Sequence, residues 1–193
     1  MAALPNPYFS KREYVKIENA EQTKSEHING EIYAMAGGSP NHSRIGGKAF
    51  SLLDAQLRGK PCEPFNSDTR VEVLETEATF YPDASVACPP LEYSRNDPYA
   101  LTNPVVLIEV LSPTTEKFDR GEKWAHYQRL ASLRDYLLIS QDKMRLEHYA
   151  RQNDNSWLLR VYEKPEETAI LESVECRLSL AEIYERVEFD KQI

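Results

Sequence analysis

The sequence predicts a single α/β domain with additional antiparallel β-ribbons. Segments with helical periodicity alternate with short runs of β-branched and apolar residues through most of the chain. The C-terminal part contains short alternating segments separated by polar turns, which is typical of antiparallel ribbon. No repeat, low-complexity segment or Gly/Ser linker divides the 193 residues, so we expect one domain over residues 1–193.

The first two elements are indicated by a helix cap and a turn. Ser10 is predicted to cap a short helix over residues 11–18, with Glu13 at the third helical position of a capping box. Asn29-Gly30 is the favoured two-residue turn between paired strands. The sequence therefore predicts a helix followed by a β-hairpin.

A longer helix is predicted to begin at Ser39-Pro40 and to end near residue 58. Its apolar residues recur with the spacing of one helical face. Gly59 follows the last of them and marks the end of the helix.

The middle of the chain is predicted to supply most of the sheet. Strands are expected over residues 62–65, 70–74, 80–87, 105–111 and 136–139. The loop over residues 89–103 is rich in Pro, Asn and Tyr and could fold over a site. Ser112-Pro113 breaks the strand before it, and a helix is expected from about residue 116 or 121 to residue 130.

The C-terminal segments are predicted to form ribbon and a final helix. Ribbon strands are expected over residues 144–150, 156–163 and 168–173, and a short amphipathic helix over residues 178–187.

Composition excludes several protein classes. Hydrophobic residues make up 41% and charged residues 28% of the chain, which is ordinary for a globular protein. The apolar runs are too short to span a bilayer, and the N-terminus lacks the pattern of a signal peptide. We therefore expect a cytoplasmic protein that is not in a membrane. The net charge of −8 argues against a non-specific DNA coat protein but does not exclude a nuclease.

The three cysteines indicate neither a disulfide framework nor a zinc site. Cys62, Cys88 and Cys176 are odd in number, widely spaced and without zinc-finger partners. We expect all three to be reduced, partly buried thiols.

Two acids interrupt apolar runs that are predicted to be buried strands. Asp83 follows Pro82 in FYPDASVAC, and Glu109 lies within PVVLIEVLSP. An unpaired carboxylate in a buried strand is costly, and sequential strands often pair. A divalent cation shared by Asp83 and Glu109 would compensate both charges. The alternatives are an Asp83 that accepts nearby backbone hydrogen bonds and a Glu109 on a solvent-facing edge.

Lys123 and Tyr127 share one face of the helix predicted after Ser112. They are four positions apart, and the lysine could orient a metal-activated water or stabilise charge on a phosphoryl group. Taken alone, Lys123 is more typical of a solvated lysine and Tyr127 of a packing residue.

Five segments of the chain, taken in order, resemble one known family. They are EHINGEIYAMAGGSPNHSRI, NSDTRVEV, YPDASVAC, NPVVLIEVLSPTTEKFDRGEKWAHYQRL and DYLLISQDKMRLEHY. Together they are similar to the Uma family of bacterial putative restriction endonucleases, a branch of the PD-(D/E)XK nuclease superfamily. The resemblance covers nearly the whole chain and implies a restriction endonuclease-like core of a helix, a mixed β-sheet and a second helix.

The resemblance also implies roles for the residues already singled out. Asp83 matches the acid of the PD element, and Glu109 matches the acid of the third core strand. The superfamily pattern expects a lysine two positions after that glutamate, where this chain has Leu111. Lys123, with Tyr127, is similar to the displaced pattern of related nucleases, and a lysine on the following helix could reach the same place.

Three further residues match family positions or lie in matching segments. Glu31 is a candidate for an additional metal-directed acid, or a surface carboxylate beside the hairpin turn. His42 is a candidate for phosphate contact or proton transfer, or a histidine that hydrogen-bonds its neighbours. Asp68 is more typical of a turn than of a ligand.

The preferred functional hypothesis is a DNA endonuclease that requires Mg²⁺ or Mn²⁺. Asp83 and Glu109 would be the metal ligands and Lys123 the third catalytic residue. Backbone phosphates could contact Arg44, Lys48, Arg58 and Lys60, which are otherwise a solvated face. The rival hypothesis is a non-catalytic binding protein with the nuclease fold, acting as a homodimer. A third hypothesis is a metal-dependent phosphodiesterase acting on small nucleotides.

Overall fold

Two mixed β-sheets that meet at residues 81–83 form most of the structure. The computed structural model describes residues 8–189. The helices are α1 (Lys11–Ala20), α2 (Pro40–Leu57), α3 (Glu116–Arg120), α4 (Glu122–Tyr127) and α5 (Leu180–Ile183). No helix within the described range is long and apolar enough to cross a membrane.

The strands divide into a five-stranded sheet, a six-stranded sheet and a small ribbon. The first sheet has the spatial order β2 (Glu31–Ala34), β1 (Ser25–Ile28), β5 (Ala78–Phe80), β4 (Arg70–Val73), β7 (Ala100–Leu101). The second has the order β11 (Trp157–Tyr162), β10 (Leu146–Arg151), β9 (Asp135–Ser140), β8 (Pro104–Leu111), β6 (Ala84–Ala87), β3 (Glu63–Asn66). Strands β12 (Thr168–Leu171) and β13 (Cys176–Ser179) form the ribbon.

Both large sheets combine parallel and antiparallel pairing. The parallel pairs are β4 with β7 and β8 with β9, and the other neighbours are antiparallel. This architecture confirms the predicted α/β fold class with additional antiparallel ribbons.

Both predicted N-terminal helices form where their caps place them. The Ser10 and Glu13 side chains each accept from the other residue's backbone N–H, which completes the predicted capping box of α1. Ser39 caps α2, and its Oγ accepts from the backbone N–H of His42 at 3.1 Å. Asn29 and Gly30 have positive φ and form the predicted turn between β1 and β2.

Strand β8 separates two hydrophobic cores. Val106, Ile108 and Val110 pack in the core that contains the buried face of α2. Leu107 and Leu111 belong to the other core, which contains Tyr127 of α4. Because side chains alternate along a strand, Glu109 lies on the same face of β8 as Leu107 and Leu111. The strand therefore directs this carboxylate towards α4.

The continuous strand predicted over residues 80–87 is wrong. Strand β5 ends at Phe80 in the five-stranded sheet, and β6 begins at Ala84 in the six-stranded sheet. Pro82 lies between them, has no N–H to donate and interrupts the ladder. The chain passes from one sheet to the other at this point, which leaves Asp83 at the junction.

The sequence suggested that the loop over residues 89–103 could fold over the site, but the loop packs elsewhere. It contributes β7, which pairs with β4, and Asp97 in the loop forms a buried ion pair with Arg70 at 3.1 Å. The long helix expected after Ser112 is divided into α3 and α4 at Gly121. The ion pair and the strand pairing hold the loop against the far side of the five-stranded sheet.

The prediction of three reduced cysteines is wrong for two of them. Cys62 and Cys88 form a disulfide, whereas Cys176 is a buried free thiol. Glu63 pairs with Ala87 in the antiparallel β3–β6 ladder. Cys62 precedes Glu63 and Cys88 follows Ala87. The antiparallel register therefore places the two cysteines opposite each other, although they lie far apart in the sequence.

The C-terminal ribbons form as predicted, with two differences. Strands β10 and β11 pair along their whole lengths. A strand that was not predicted, β13, pairs with β12 after a short 3₁₀ turn. The final helix is much shorter than the one expected over residues 178–187, because residues 176–179 are used in that ribbon.

Candidate active site

The two acids singled out in the sequence lie beside each other, Asp83 just before β6 and Glu109 within the paired strand β8. Ala84 of β6 is opposite Ile108 of β8 in an antiparallel pair. Asp83 and Glu109 are the next residues along these two strands in the same direction. The Asp83 Oδ2 atom accepts a hydrogen bond of 2.7 Å from the backbone N–H of Val110. The expected proximity of the two acidic strands is thus present in the structure.

Lys123 lies at the centre of a buried group of carboxylates. Its Nζ atom is 3.2 Å from Glu109 Oε1, 3.1 Å from Glu26 Oε1 and 3.3 Å from Asp119 Oδ1. Only 5% of the residue is exposed. Glu26 comes from β1, Glu109 from β8 and Asp119 from α3, so three separate elements position one ammonium group. Lys123 is not the solvated lysine that its sequence context alone would suggest.

Tyr127 binds the same glutamate as Lys123. Its hydroxyl donates a 2.8 Å hydrogen bond to Glu109 Oε1, and its ring packs edge-on against Phe80 at a centroid distance of 5.2 Å. The residue is fully buried. One turn of α4 therefore delivers two donors to one carboxylate oxygen, which defines the orientation of the Glu109 side chain.

The cluster carries more negative than positive charge. Burial raises the pKa of Glu109 well above its usual range; Lys123 opposes this shift, but Asp119, Asp83 and Glu26 add to it. Burial also raises the pKa of Asp83, against the lowering effect of His42 and the Val110 N–H. Burial is the main cause of both shifts, and the positive charges beside the two carboxylates do not offset it.

The pKa of Lys123 also reflects the excess of carboxylates around it. Burial by itself lowers the pKa of the ammonium, but Glu109, Glu26 and Asp119 together raise it above its ordinary value. Lys123 is therefore a permanent cation, unsuited to act as a base. An ammonium held in this way is chemically suited to stabilising negative charge or orienting a water.

The donor set suits a hydrated hard cation. Within residues 8–189, no three His, Cys, Asp or Glu side chains converge as a complete metal-binding set. Asp83 and Glu109 are both carboxylates, and Mg²⁺ is commonly bound through one or two carboxylates with water as its other ligands. The residues present therefore fit Mg²⁺ or Mn²⁺ better than zinc, which takes nitrogen and sulfur ligands.

The supporting residues named from the sequence fall in different places. His42, at the start of α2, has its Nε2 atom 3.5 Å from Asp83 Oδ2. Glu31 accepts a hydrogen bond from the Tyr33 hydroxyl and is not among the residues that line the cleft beside the cluster. Asp68 is exposed and forms a 2.6 Å ion pair with Lys24. Its Oδ2 atom accepts a hydrogen bond from the Asn66 side-chain amide within a turn, which is the kind of position expected for it.

Sequence reasoning missed Glu26 and Asp119. Asp119 precedes Lys123 by one helical turn, and that i, i+4 spacing was an available signal. Glu26 lies in the same hairpin as Glu31, but the residues themselves do not indicate which acid of the hairpin faces α4. The pairing of β1 with β5 settles this by placing β1 next to the strand that leads to Asp83.

The basic residues proposed for DNA contact lie outside the clefts beside the acids. Lys48 forms an ion pair with Glu185, Arg58 with Asp54 and Lys60 with Glu175. Arg44 donates to Asn41 on the exposed surface of α2. These contacts fit a solvated face with acidic partners.

Two clefts meet at Asp83. The first has a volume of about 650 Å³ and is lined by the acidic cluster, Lys123 and residues 112–115. The second has a volume of about 580 Å³ and is lined on one side by α2 and on the other by Lys24 and residues 66–67. Residues 35–38, His42, Tyr81 and Asp83 line both clefts. Asp83 can thus be approached along either cleft, whereas Glu109 lines only the first.

Comparison with known proteins gives matches over most of the chain. The Uma2 family profile, described as a putative restriction endonuclease, matches residues 12–181. An uncharacterized protein from Synechocystis sp. is 36% identical over 187 residues, covering 97% of both chains. A second uncharacterized protein from this organism is 39% identical over 147 residues, covering 76% of this chain and 83% of the relative.

A solved structure has the same fold. It is that of a putative nuclease belonging to DUF820 from Anabaena variabilis, with a TM-score of 0.76 and 19% sequence identity. The alignment covers 93% of the present chain and 99% of the other. The fold is therefore restriction endonuclease-like, with α2 on one face of the six-stranded sheet and α4 on the other.

Proposed function

The chain belongs to the Uma2 family of putative restriction endonucleases, and we propose on this basis that it is a metal-dependent endonuclease that hydrolyses DNA phosphodiester bonds. The Mg²⁺ or Mn²⁺ ion would be bound by Asp83 and Glu109. Lys123 is the catalytic cation of this proposal, and Tyr127 and His42 support the two acids from either side.

The observation that carries the proposal is the charge of the buried cluster. Four carboxylates, those of Glu26, Asp83, Glu109 and Asp119, surround or adjoin one ammonium group. Burying carboxylates without matching positive charge is costly to a protein. A divalent cation supplies the missing charge and accounts for the two acids nearest the open cleft.

The residues of the site have distinct roles in the proposed hydrolysis. A bound Mg²⁺ or Mn²⁺ ion lowers the pKa of a bound water and offsets charge on the phosphoryl group. Tyr127 and Lys123 hold Glu109 through its Oε1 atom and would orient its carboxylate for a metal ion. The Val110 N–H holds Asp83 in the same way. The ammonium of Lys123 stabilises the additional negative charge of the transition state.

The bond changes follow from this arrangement. The water oxygen forms a bond to phosphorus as the bond from phosphorus to the leaving sugar oxygen breaks. The proton lost by the water passes to solvent, and His42, whose Nε2 atom lies beside Asp83, would add positive charge there. The leaving oxygen takes a proton from solvent, and the products are a phosphate monoester and a hydroxyl group.

The direct test is nicking of supercoiled plasmid by the purified protein. We expect cleavage with Mg²⁺ or Mn²⁺ and none with a chelator, because the carboxylate cluster is incomplete without a cation. Single-turnover rates over a range of metal concentrations give the apparent affinity. Cleavage that is unaffected by the chelator, or absent with every metal, would contradict the proposal.

Metal binding is expected to strengthen as the pH rises. Without a bound cation, the raised pKa values of Glu109 and Asp83 stabilise the folded state at pH values below the ordinary carboxyl pKa. That stability is lost as the pH rises through the raised values, whereas the metal binds only the ionised forms. The increase in Tm caused by Mn²⁺ should therefore be larger at about pH 8 than at about pH 5.5. Glu109→Gln should show a smaller increase and a weaker pH dependence, and an increase independent of pH in the wild type would refute this account.

Glu26 is expected to matter more than Glu31, although both belong to the N-terminal hairpin. Glu26 contacts Lys123 directly, so Glu26→Gln removes one of the three carboxylates that position the ammonium. We expect cleavage to fall by roughly 10- to 100-fold, as for other groups that orient catalytic residues. Glu31→Gln, which alters a carboxylate bound to Tyr33, should cause a smaller loss. Equal losses in kcat for the two variants would argue against the placement of Glu26.

A further inference from the structure

The shape of the site restricts the form of its nucleic-acid substrate. Each of the two clefts, at about 650 and 580 Å³, is in the range of small-molecule sites, which is roughly 300–1,000 Å³. Such a cleft accepts a nucleotide-sized group, and the full width of a double helix would not enter it. Asp83, a candidate metal ligand, lies where the clefts meet.

The charges around the site are also unlike those of a duplex-binding surface. Proteins that hold duplex DNA do so mainly through lysine and arginine contacts to both phosphate backbones. Here Glu122 adds a further acid to the first cleft, and Lys123 is already bound by three carboxylates. Lys48 of α2 and Arg58 just after it form ion pairs with Glu185 and Asp54, outside the clefts.

The cleft walls provide contacts that suit unpaired bases. Tyr33 is 48% exposed and Met35 is 39% exposed, two positions apart on the first wall. Phe50, which is partly buried against the core, lines the second cleft together with Asn66, Ser67 and Lys24, whose ammonium forms an ion pair with Asp68 at 2.6 Å. Aromatic surfaces stack on bases of any sequence, and such stacking is the usual means of holding single strands.

We propose that the substrate is a single, unpaired DNA strand that crosses both clefts, with the scissile phosphate at Asp83. Nucleotides on one side of that phosphate occupy the cleft lined by Tyr33 and Met35. Those on the other side occupy the cleft lined by Lys24 and Phe50. The inference rests on the proposed nuclease function and specifies its substrate. A duplex reaches the site only where its strands are locally separated, as for enzymes that act on extruded nucleotides.

Binding and cleavage tests distinguish this inference from the proposed function. An oligonucleotide of about 30 nucleotides is compared with its duplex, using fluorescence anisotropy with Asp83→Ala and cleavage with the wild type in Mn²⁺. We expect the single strand to bind, and to be cut, at least about 10-fold better. Equal or better binding and cleavage of the duplex would overturn the inference. Preferential single-strand binding without any metal-dependent cleavage would support single-strand binding in the two clefts and contradict the proposed nuclease function. Hydrolysis of mononucleotide esters alone, without single-strand binding, would contradict both and favour a small-nucleotide phosphodiesterase.

Gly47 offers a direct test of the second cleft. It lies on α2 at the cleft wall, and a Cβ atom added there meets no atom within 4 Å. Gly47→Glu should therefore fold and place a negative charge in the path of the strand. Ala55→Glu adds the same side chain to the exposed surface of α2, two turns further on. We expect single-strand affinity to fall by about 10-fold in Gly47→Glu and by less than about 2-fold in Ala55→Glu. Matching affinities for the two variants, both with wild-type Tm, would overturn the second half of the strand path.

Discussion

Asp83→Ala is expected to reduce metal-dependent cleavage by about 10³-fold or more. Bound metals supply several kcal/mol of transition-state stabilisation, and each 1.36 kcal/mol changes the rate about tenfold. The Asp83 carboxylate lies at the meeting point of both clefts and is the acid nearest His42. Single-turnover cleavage at saturating Mn²⁺ measures the loss, and calorimetric titration with Mn²⁺ measures the affinity.

A second substitution separates loss of metal binding from loss of structure. Asp83→Ala removes the acceptor of the Val110 N–H, whereas Asp83→Asn retains an oxygen at that position but is a neutral, poor metal ligand. We expect both variants to lose cleavage and Mn²⁺ binding, and Asp83→Asn to keep the wild-type fold. Asp54→Ala, which removes a surface acid of α2 paired with Arg58, is the matched control and should retain activity. Wild-type cleavage by Asp83→Asn would show that Asp83 is not a metal ligand.

Lys123→Met is expected to have the largest combined effect on activity and stability. The substitution keeps the length of the side chain but leaves Glu109, Glu26 and Asp119 without their shared cation. Removing one partner of a buried ion pair commonly costs about 3–5 kcal/mol of unfolding free energy. Loss of a charge aimed at the transition state commonly costs about 10²–10³-fold in rate. We therefore expect reduced stability and very low cleavage together.

The pH dependence of Lys123→Met identifies the cause of its instability. Lys123 lowers the pKa of Glu109, so without the ammonium that pKa rises further above its ordinary range and Glu109 is more easily accommodated when protonated. Stability conferred by raised pKa values is lost as the pH increases, and the variant should be most destabilised at about pH 8 and least at about pH 5.5. Lys117→Met changes an exposed lysine of the preceding helix and should unfold like the wild type. A destabilisation that is the same at both pH values would point to packing alone.

These predictions depend on a site that was only partly visible in the sequence. Asp83 and Glu109 stood out because each interrupts an apolar segment, and the structure places them on adjoining strands. Lys123 and Tyr127 followed from their spacing on one helix, and both contact Glu109. Their catalytic roles stay predictions until the variants are measured.

Other parts of the site depended on long-range contacts. Glu26 approaches Lys123 because β1 pairs with β5 at the edge of the junction between the sheets. The two clefts exist because residues 35–38 lie beside Asp83 and His42. Neither arrangement has a local pattern in the residues concerned, so neither was predicted.

The sequence by itself determined the capped helices, the Asn29-Gly30 hairpin and the acids that carry the candidate chemistry. Each depends on residues close together in the chain, where capping, turn geometry and side-chain periodicity act directly. Only the tertiary structure decided that Pro82 divides one apolar run between two sheets, that Cys62 meets Cys88 and that three carboxylates share Lys123. Those features arise from strand order and register, which bring together residues distant in sequence and are determined by the packing of the whole chain.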